Sequence, residues 1–501
     1  MIFESIKSLH SKESFLEKLL VYIRLVEVIA ERDGKVIPIK KDVTNPILAE
    51  MIDMGVIDDV SDLVELRKIL KKNYVQFISA VSFYLCNNSL FGDLLYKLSN
   101  KHRKEIQHEY EQMVRPTFVD FFSGAGGLSY GFIQSGFKVC LANDIEEVCV
   151  RTYRYNHPEL QSSKVLNCDI RNIVDNIGKY INGNVDVVVG GPPCQGFSSA
   201  NRQRIIDDPR NELYKYYIKA VASILPKFVI MENVRGMLKV ANQVIEDYES
   251  INVNRNGYEY SYLVDCKLLN SYDFSVSQSR ERLIYIAIRN DIAHDRNITP
   301  KEIFEEICKN SEANTRYVLK DALDAIKPLE APRIKNMTEV DSDTTGRKID
   351  NNTFKGNENA YLSLINGGRE IPFLFNHKAR YLNDTNYNIY RLLNQGDDAS
   401  DPKIKGIMPY ENRLHCFKDK YYKLIANKPS RTITAHLRMD CHSHIHPYQV
   451  RAITPREAAR CQSFPDDYLF LGPYLKTYMQ IGNAVPCLMA KGIANVIKKY
   501  L

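Results

Sequence analysis

From Thr117 onward the chain repeats one unit that leaves few folds open to it. Short apolar runs, TFVDFF, FKVCLA, VDVVV and KFVIM, alternate with stretches of helical periodicity. Runs apolar at successive residues suit strands buried on both faces, and strands separated by helices are parallel strands with crossovers. The pattern predicts an α/β fold with a doubly wound, Rossmann-like sheet, whose ligand site lies at the carboxyl ends of the strands. At 501 residues the chain is too long for one core of this kind. Further domains are expected, with one of them discontinuous in sequence.

The flanks read differently. Residues 1–115 are predicted to form a separately folding helical domain without a catalytic group. Leu16, Leu19, Leu20 and Ile23 have helical spacing before a stop at Asp33-Gly34, and Asn45-Pro46 supplies a cap and a first-turn proline for a helix that Gly55 ends. Two more periodic stretches run from Asp62 to Leu70 and from Tyr74 to Leu85. The basic run KHRKEIQHEYEQ at 101–112 reads as a solvated helix face rather than a DNA contact. From about 290 to 430 the strand–helix rhythm is lost, and RIKNMTEVDSDTTGRKIDNNTFKGNENA is polar and aperiodic, as in a loop-rich module. Helical signals return with TPREAARCQSF and VPCLMAKGIANVIKKY. The expected organisation is therefore 1–115, 116–300, an irregular insert over 301–454, and 455–501 returning to the sheet.

Composition excludes other classes. With 44% hydrophobic and 26% charged residues the chain is neither disordered nor collagen-like. The net charge of +6 permits a nucleic-acid partner without demanding one. Eleven dispersed cysteines with no C-x-x-C pair read as reduced thiols, and no apolar run is long enough for a membrane span or a secretory signal. A cytoplasmic location is expected.

Chemistry gathers at the predicted strand ends. The first strand runs into Ser123-Gly124-Ala125-Gly126-Gly127, a glycine-rich turn before a helix. The second ends in Asp144-Ile145, where a carboxylate can accept hydrogen bonds from ribose hydroxyls, and the third in Asp169-Ile170. Acidic residues at successive strand ends, with no Walker lysine after the glycines, favour a nucleoside-containing cofactor. The fourth strand enters Gly191-Pro192-Pro193-Cys194-Gln195-Gly196, a rigid loop that presents a cysteine at the cofactor edge, and the fifth delivers Glu232 to the same edge. Cys194 and Glu232 thus form a candidate nucleophile and acid.

These residues lie in a series of motifs that closely resembles the DNA cytosine methyltransferases acting on carbon 5, of the bacterial restriction-modification type. The resemblance covers about 116–501 in the order DFFSGAGG, GGPPCQGFSS, DPRNEL, MENV, QSRER, RTITAH, TPREAARCQSFPDDY and QIGNAVP. Phe121 replaces the usual leucine, and Ser275 and Ser277 stand where glycine and proline are common. The resemblance implies that the Cys194 thiolate adds to carbon 6 of a flipped-out cytosine, making carbon 5 nucleophilic toward the methyl group of S-adenosylmethionine. Glu232 would contact ring nitrogen 3 and Arg282 the carbonyl oxygen, with Arg280 beside them toward the loop or phosphates. Gln278, Arg280 and Arg282 alternate, so a strand would direct all three to one face. The cofactor set is Phe122, Gly124, Gly126, Asp144, Ile145, Asp169, Ile170, Asn483 and Val485. Gln195, Ser198, Gln278 and Arg431 would meet DNA.

The resemblance also makes 301–454 a target-recognition domain, in which NHKARYLN at 376–383 and FKDKYYKL at 417–424 mix basic and aromatic residues, as DNA contact requires and as a solvated loop surface equally allows. Cys441, His442, His444 and His446 superficially suggest a metal site on one strand face, but the family needs no metal and none is expected. The partners implied are duplex DNA and a separate endonuclease acting on the same sequence, with the enzyme a monomer that protects host DNA. A tRNA methyltransferase of the same fold would differ after Pro-Cys-Gln and carry a shorter recognition region. An amino-group methyltransferase would need Asp/Asn-Pro-Pro-aromatic where this chain has Gly-Pro-Pro-Cys. A silent DNA-binding relative would not need Cys194, Glu232 and Arg282 intact.

Overall fold

The apolar runs do form strands. A computed structural model of the chain describes residue 6 and residues 11–91, 100–193, 212–351, 359–369, 371–409 and 420–501. Strands β1 (Thr117–Phe121), β2 (Lys138–Asp144), β3 (Val165–Asn167), β4 (Val187–Gly190) and β5 (Phe228–Val234) pair in parallel. A small hairpin of β6 (Val253–Arg255) and β7 (Tyr258–Tyr260) follows. Then β8 (Tyr262–Asn270) and β9 (Glu281–Arg289) extend the main sheet to the order β3-β2-β1-β4-β5-β9-β8. β9 runs antiparallel to both of its neighbours. The strand order reverses between β1 and β4, so the loops leaving these two strands diverge and open a crevice at their carboxyl ends.

Side-chain alternation divides the sheet between two cores. Phe118, Phe228, Ile230, Ile284 and Ile286 face one, and Val119, Phe121, Val229, Met231, Leu283 and Tyr285 the other. The first core is closed by helix Gly127–Gln134 and by helix Cys487–Ile497, which returns from the end of the chain. The two helices cross so closely that a Cβ on Gly131 would lie 2.5 Å from Ala490 Cβ. Helix Pro300–Glu312, in a stretch expected to be irregular, also joins this core through Ile303, Phe304 and Ile307. Its start was legible, because Thr299 and Glu302 form a reciprocal capping box behind Pro300. Beyond it the insert is turn-rich, with short helices and a hairpin of β10 (Gly346–Asn351) and β11 (Phe373–Lys378).

The N-terminal region holds helices Lys12–Arg32, Asn45–Asp53, Leu63–Leu70 and Tyr74–Cys86, close to the predicted spans. Ser11 caps the first by accepting the Ser14 N–H, and Asp33 ends it. The second helix begins one residue earlier than predicted, with Thr44 at the cap position. These helices pack against the rest of the chain. Leu19, Tyr22, Val26, Phe77 and Val81 share one continuous core with Ile349, Phe373 and Phe375 of the hairpin and with Leu469 and Leu471. Helix Asn100–Gln112 packs instead on the catalytic sheet. Tyr110 enters the first core and its hydroxyl accepts the Val139 N–H at 2.7 Å, while most neighbouring charged residues are exposed.

Candidate active site

At the crevice, the turn after β1 is fixed by the end of β2. The Ser123 N–H donates to Asn143 O at 2.9 Å, and the Gly124 N–H to Asp144 Oδ2 at 2.9 Å. Buried Asn143 also reaches β3 by donating from Nδ2 to Cys168 O at 2.8 Å. Phe122 and Gly124 both have positive φ, of 58° and 54°. Only glycine takes that conformation without strain, and a Cβ at Gly124 would meet nothing within 4 Å. The turn therefore holds its backbone open to a ligand. Gly126, by contrast, is required by packing, since a Cβ there would approach the Tyr468 hydroxyl at 2.7 Å.

The groups around this opening are those an adenosine moiety needs. Asp144 is half-buried, and burial pushes its carboxyl up while the Gly124 and Glu146 amides that it accepts oppose the rise. Each of its oxygens keeps further acceptor capacity for hydroxyls. Ile145 beside it is 66% exposed, an apolar surface with no intramolecular reason to face solvent. Asp169 caps the helix Ile170–Val174, and its hydrogen bonds with the Arg171 side chain pull its carboxyl down. Ile170 is buried in the second core, so ligand contact there falls to backbone. Asn483, at the end of helix Tyr474–Asn483, is exposed, whereas Val485 is buried with its carbonyl against Gly127. The donor set and the open glycine turn fit S-adenosylmethionine.

On the other side of the crevice, β5 and β9 place Glu232 and Arg282 on one face. Glu232 is paired across the ladder with Ile284 and Arg282 with Val234, so the two side chains are diagonal neighbours. Arg282 Nε lies 2.7 Å from Glu232 Oε1, with the side chains 14% and 11% exposed. Gly191 brings the loop after β4 against Glu232, since a Cβ there would sit 3.1 Å from Oε2. Asn233, which the sequence reading passed over, donates from Nδ2 to Pro192 O at 3.0 Å and fixes that loop to β5. A polar residue inside a buried strand end, as in A-N-D and E-N-V, was the available signal for both Asn143 and Asn233. Cys194, Gln195 and Ser198 lie outside the described residues.

Two expectations need correction. Gln278 is fully buried, donating to Gln462 Oε1 at 2.7 Å and accepting the Ile433 N–H at 2.6 Å, so it cannot meet DNA. Arg280 is 1% exposed and donates to Ile433 O at 2.5 Å and Gly482 O at 3.0 Å, a clamp between segments rather than a phosphate contact or a catalytic group. Burial, with Arg282 nearby, pushes its guanidinium well below the usual range. The alternation was read correctly, but β9 begins only at Glu281 and the preceding residues turn into the protein.

The basic–aromatic segments are also largely internal. Asn376 exchanges hydrogen bonds with the Phe470 backbone, His377 bridges Thr454 and Lys327 O, Lys378 pairs with Asp341, and Tyr421 is buried. Residues 417–419 lie outside the described ones. Arg431 stacks on Tyr422, 4.5 Å from its centroid. The histidines at 442–446 lie in turns, not on a strand. His442 Nδ1 meets Tyr390 Oη at 2.9 Å, and His446 Nδ1 accepts the Tyr448 and Gln449 amides. Burial lowers His442 to about 4 and His446 to about 3. Among the described residues no group of His, Cys, Asp or Glu is arranged to hold a metal.

Comparison with known proteins agrees with this geometry. Residues 116–499 match the model of the C-5 cytosine-specific DNA methylase family. The chain is similar to the type II methyltransferase M1.HphI of Haemophilus parahaemolyticus, with 32% identity over 392 residues, covering 76% of this chain and 87% of that one. It is similar also to M.AgeI of Thalassovita gelatinovora, with 30% identity over 435 residues, 76% of this chain and 98% of that one. Among solved structures, a prophage-encoded E. coli protein assigned as a DNA modification methyltransferase shares the fold at a TM-score of 0.53, with 24% identity, over 77% of this chain and 99% of that one. With more than half of its length matched by the family model and the strand-end site in place, the chain belongs to the C-5 cytosine-specific DNA methylases.

Proposed function

We propose that this DNA cytosine-5 methyltransferase modifies one specific duplex sequence through a covalent Cys194 adduct and so protects its host's DNA in a restriction-modification system, beside a separate endonuclease that cuts the same sequence. The observation that carries the site assignment is the Glu232–Arg282 pair held against the loop that leads to Cys194. Among the described residues no helix is long and apolar enough to cross a membrane. A cytoplasmic monomer is the reading for location and assembly.

The chain's residues divide the work as follows. The Cys194 thiolate adds to carbon 6 of the extruded base, with its proton lost to solvent or to a neighbouring base. Glu232 protonates or hydrogen-bonds nitrogen 3 as charge develops on the ring, and Arg282 orients that carboxyl while reaching toward the carbonyl oxygen. Asn233 and Gly191 keep the cysteine loop in register with Glu232. Gly124, Asp144, Ile145, Asp169 and Asn483 hold S-adenosylmethionine, which supplies the methyl group that carbon 5 takes. Gln195 and Ser198 take part in holding the base out of the duplex, and Arg431 contacts DNA. Residues 301–454 form the target-recognition region.

Duplex DNA with 5-fluorocytosine at the target tests this reading, since fluorine cannot leave as the carbon-5 proton does. An adduct stable to denaturing electrophoresis and mapping to Cys194 is expected, and none with Cys194→Ser. Methylation at near wild-type rate by Cys194→Ser would refute the nucleophile, and an adduct on tRNA but not on duplex DNA would refute the substrate.

A further inference from the structure

The helices before residue 92 lie outside the family match, yet they are bonded to both halves of the enzyme at one carboxylate. Glu17, on helix Lys12–Arg32, has a side chain only 18% exposed. Its Oε1 accepts the Gly472 N–H at 2.8 Å and pairs with Lys348 of β10, while Oε2 pairs with Arg151. Arg151 belongs to helix Glu147–Asn156, which begins just after Asp144 and Ile145. Gly472 lies two residues before the helix that ends at Asn483, next to its cap residue Pro473. Two turns of helix further on, Arg24 Nε donates to Ile349 O at 3.2 Å, gripping the same hairpin strand. Behind these polar contacts Phe373 and Phe375 stack with ring centroids 5.8 Å apart, inside the core shared with the N-terminal helices.

We propose that Glu17 is a positioning residue for target recognition: the N-terminal helices use it to fix the recognition hairpin relative to the two elements that frame the cofactor site. This rests on the reading of 301–454 as the recognition region. The electrostatics give the carboxylate its leverage. Lys348 and Arg151 come from different parts of the enzyme and share Glu17 as counter-charge. Without it two part-buried cations lose their common counter-charge, and Lys348, whose side chain is the more exposed at 29% against 16% for Arg151, shifts away with its strand. The partners of Glu17, namely Gly472, Lys348 and Arg151, include none of the residues assigned to the base or the cofactor, so chemistry on bound DNA stays intact.

The test compares Glu17→Gln, Lys348→Met and the double variant in the full-length enzyme, on duplexes carrying the sequence that bisulfite sequencing shows to be methylated and on single-base variants of it. Each single variant should raise KM for duplex DNA about three- to tenfold and cut discrimination against altered sites by a similar factor. kcat on the cognate duplex and the S-adenosylmethionine Kd should stay within about twofold. The double variant should lose no more than either single one, because both break the same link. Wild-type KM and discrimination in both single variants, whatever their Tm, would overturn the proposal. If Glu17→Gln is insoluble, Lys348→Met decides, since it leaves the helices and the Glu17–Arg151 pair untouched. Exchange of 319–430 for a relative's region separates the two readings. A methylated sequence that fails to change removes the recognition region itself, and one that changes while the single variants behave as wild type removes only Glu17.

Discussion

Replacing Arg280 by methionine distinguishes a clamp from a DNA contact. Methionine keeps most of the side chain's length and apolar volume but removes the two donors that hold Ile433 O and Gly482 O. Two hydrogen bonds from a charged donor contribute about 1.5–3 kcal/mol each, and their loss leaves two buried carbonyls unpaired. Against this, Nε of Arg280 is buried with no partner among the described residues, and a desolvated cation is itself costly by several kcal/mol. The net destabilisation should be about 2–4 kcal/mol. Urea denaturation followed by circular dichroism measures it, and calorimetric titration should show S-adenosylmethionine binding weakened about tenfold, because Gly482 adjoins Asn483. The salt dependence of DNA affinity should not change. A phosphate contact would behave the other way, with stability preserved and the slope of log affinity against log salt reduced by about one. That outcome would refute the clamp.

Other expectations are as direct. Asp144→Asn should weaken S-adenosylmethionine binding about tenfold with DNA affinity kept, as calorimetry with each ligand would show; unchanged cofactor affinity would remove Asp144 from the pocket. Buried Asp120, whose Oδ2 accepts the Ser129 hydroxyl at 2.5 Å and whose Oδ1 lacks a partner among the described residues, is pushed by burial up to about 7. Its folded-state pKa exceeds the unfolded one, so its contribution is complete below about pH 4 and is lost as pH rises through about 7. Denaturation across that window should show Asp120→Asn losing less stability than wild type, and parallel curves would contradict the assignment. Deleting residues 1–99 should uncover Ile349, Phe373, Phe375, Leu469 and Leu471 and yield aggregates on size exclusion. A monodisperse truncated enzyme with normal cofactor affinity would show that the shared core is dispensable.

The sequence revealed most where a residue's role is local. Strands β1, β2, β4 and β5 were legible as apolar runs, and the glycine turn, Asp144 and Glu232 followed because strand ends of such a sheet share one edge. The Thr454–Glu457 capping box and the Asp33 helix stop were equally local. What escaped depends on contacts distant in sequence. Gln278 and Arg280 have the residue types of DNA readers, and only the return of Ile433 and Gly482 over them turns them inward. His377 and Lys378 carried the same ambiguity, resolved by Thr454 and Asp341. The N-terminal segments are helices, as their periodicity predicts, but nothing in that periodicity shows that the hairpin shares their core.

The helix at the very end of the chain, seated on Gly131, sets a condition on how the enzyme is made. During synthesis the strand–turn–helix unit that begins at Thr117 emerges early, but the helix Cys487–Ile497 that seals it emerges more than 350 residues later. Until then an apolar face is open to water, and the contacts that close it are among the most distant in sequence, which makes their formation slow. Premature termination anywhere before Cys487 therefore gives an unsealed sheet rather than a shortened enzyme. A partial product of this gene should be cleared by proteases instead of lingering as a crippled methylase that competes for its own sites.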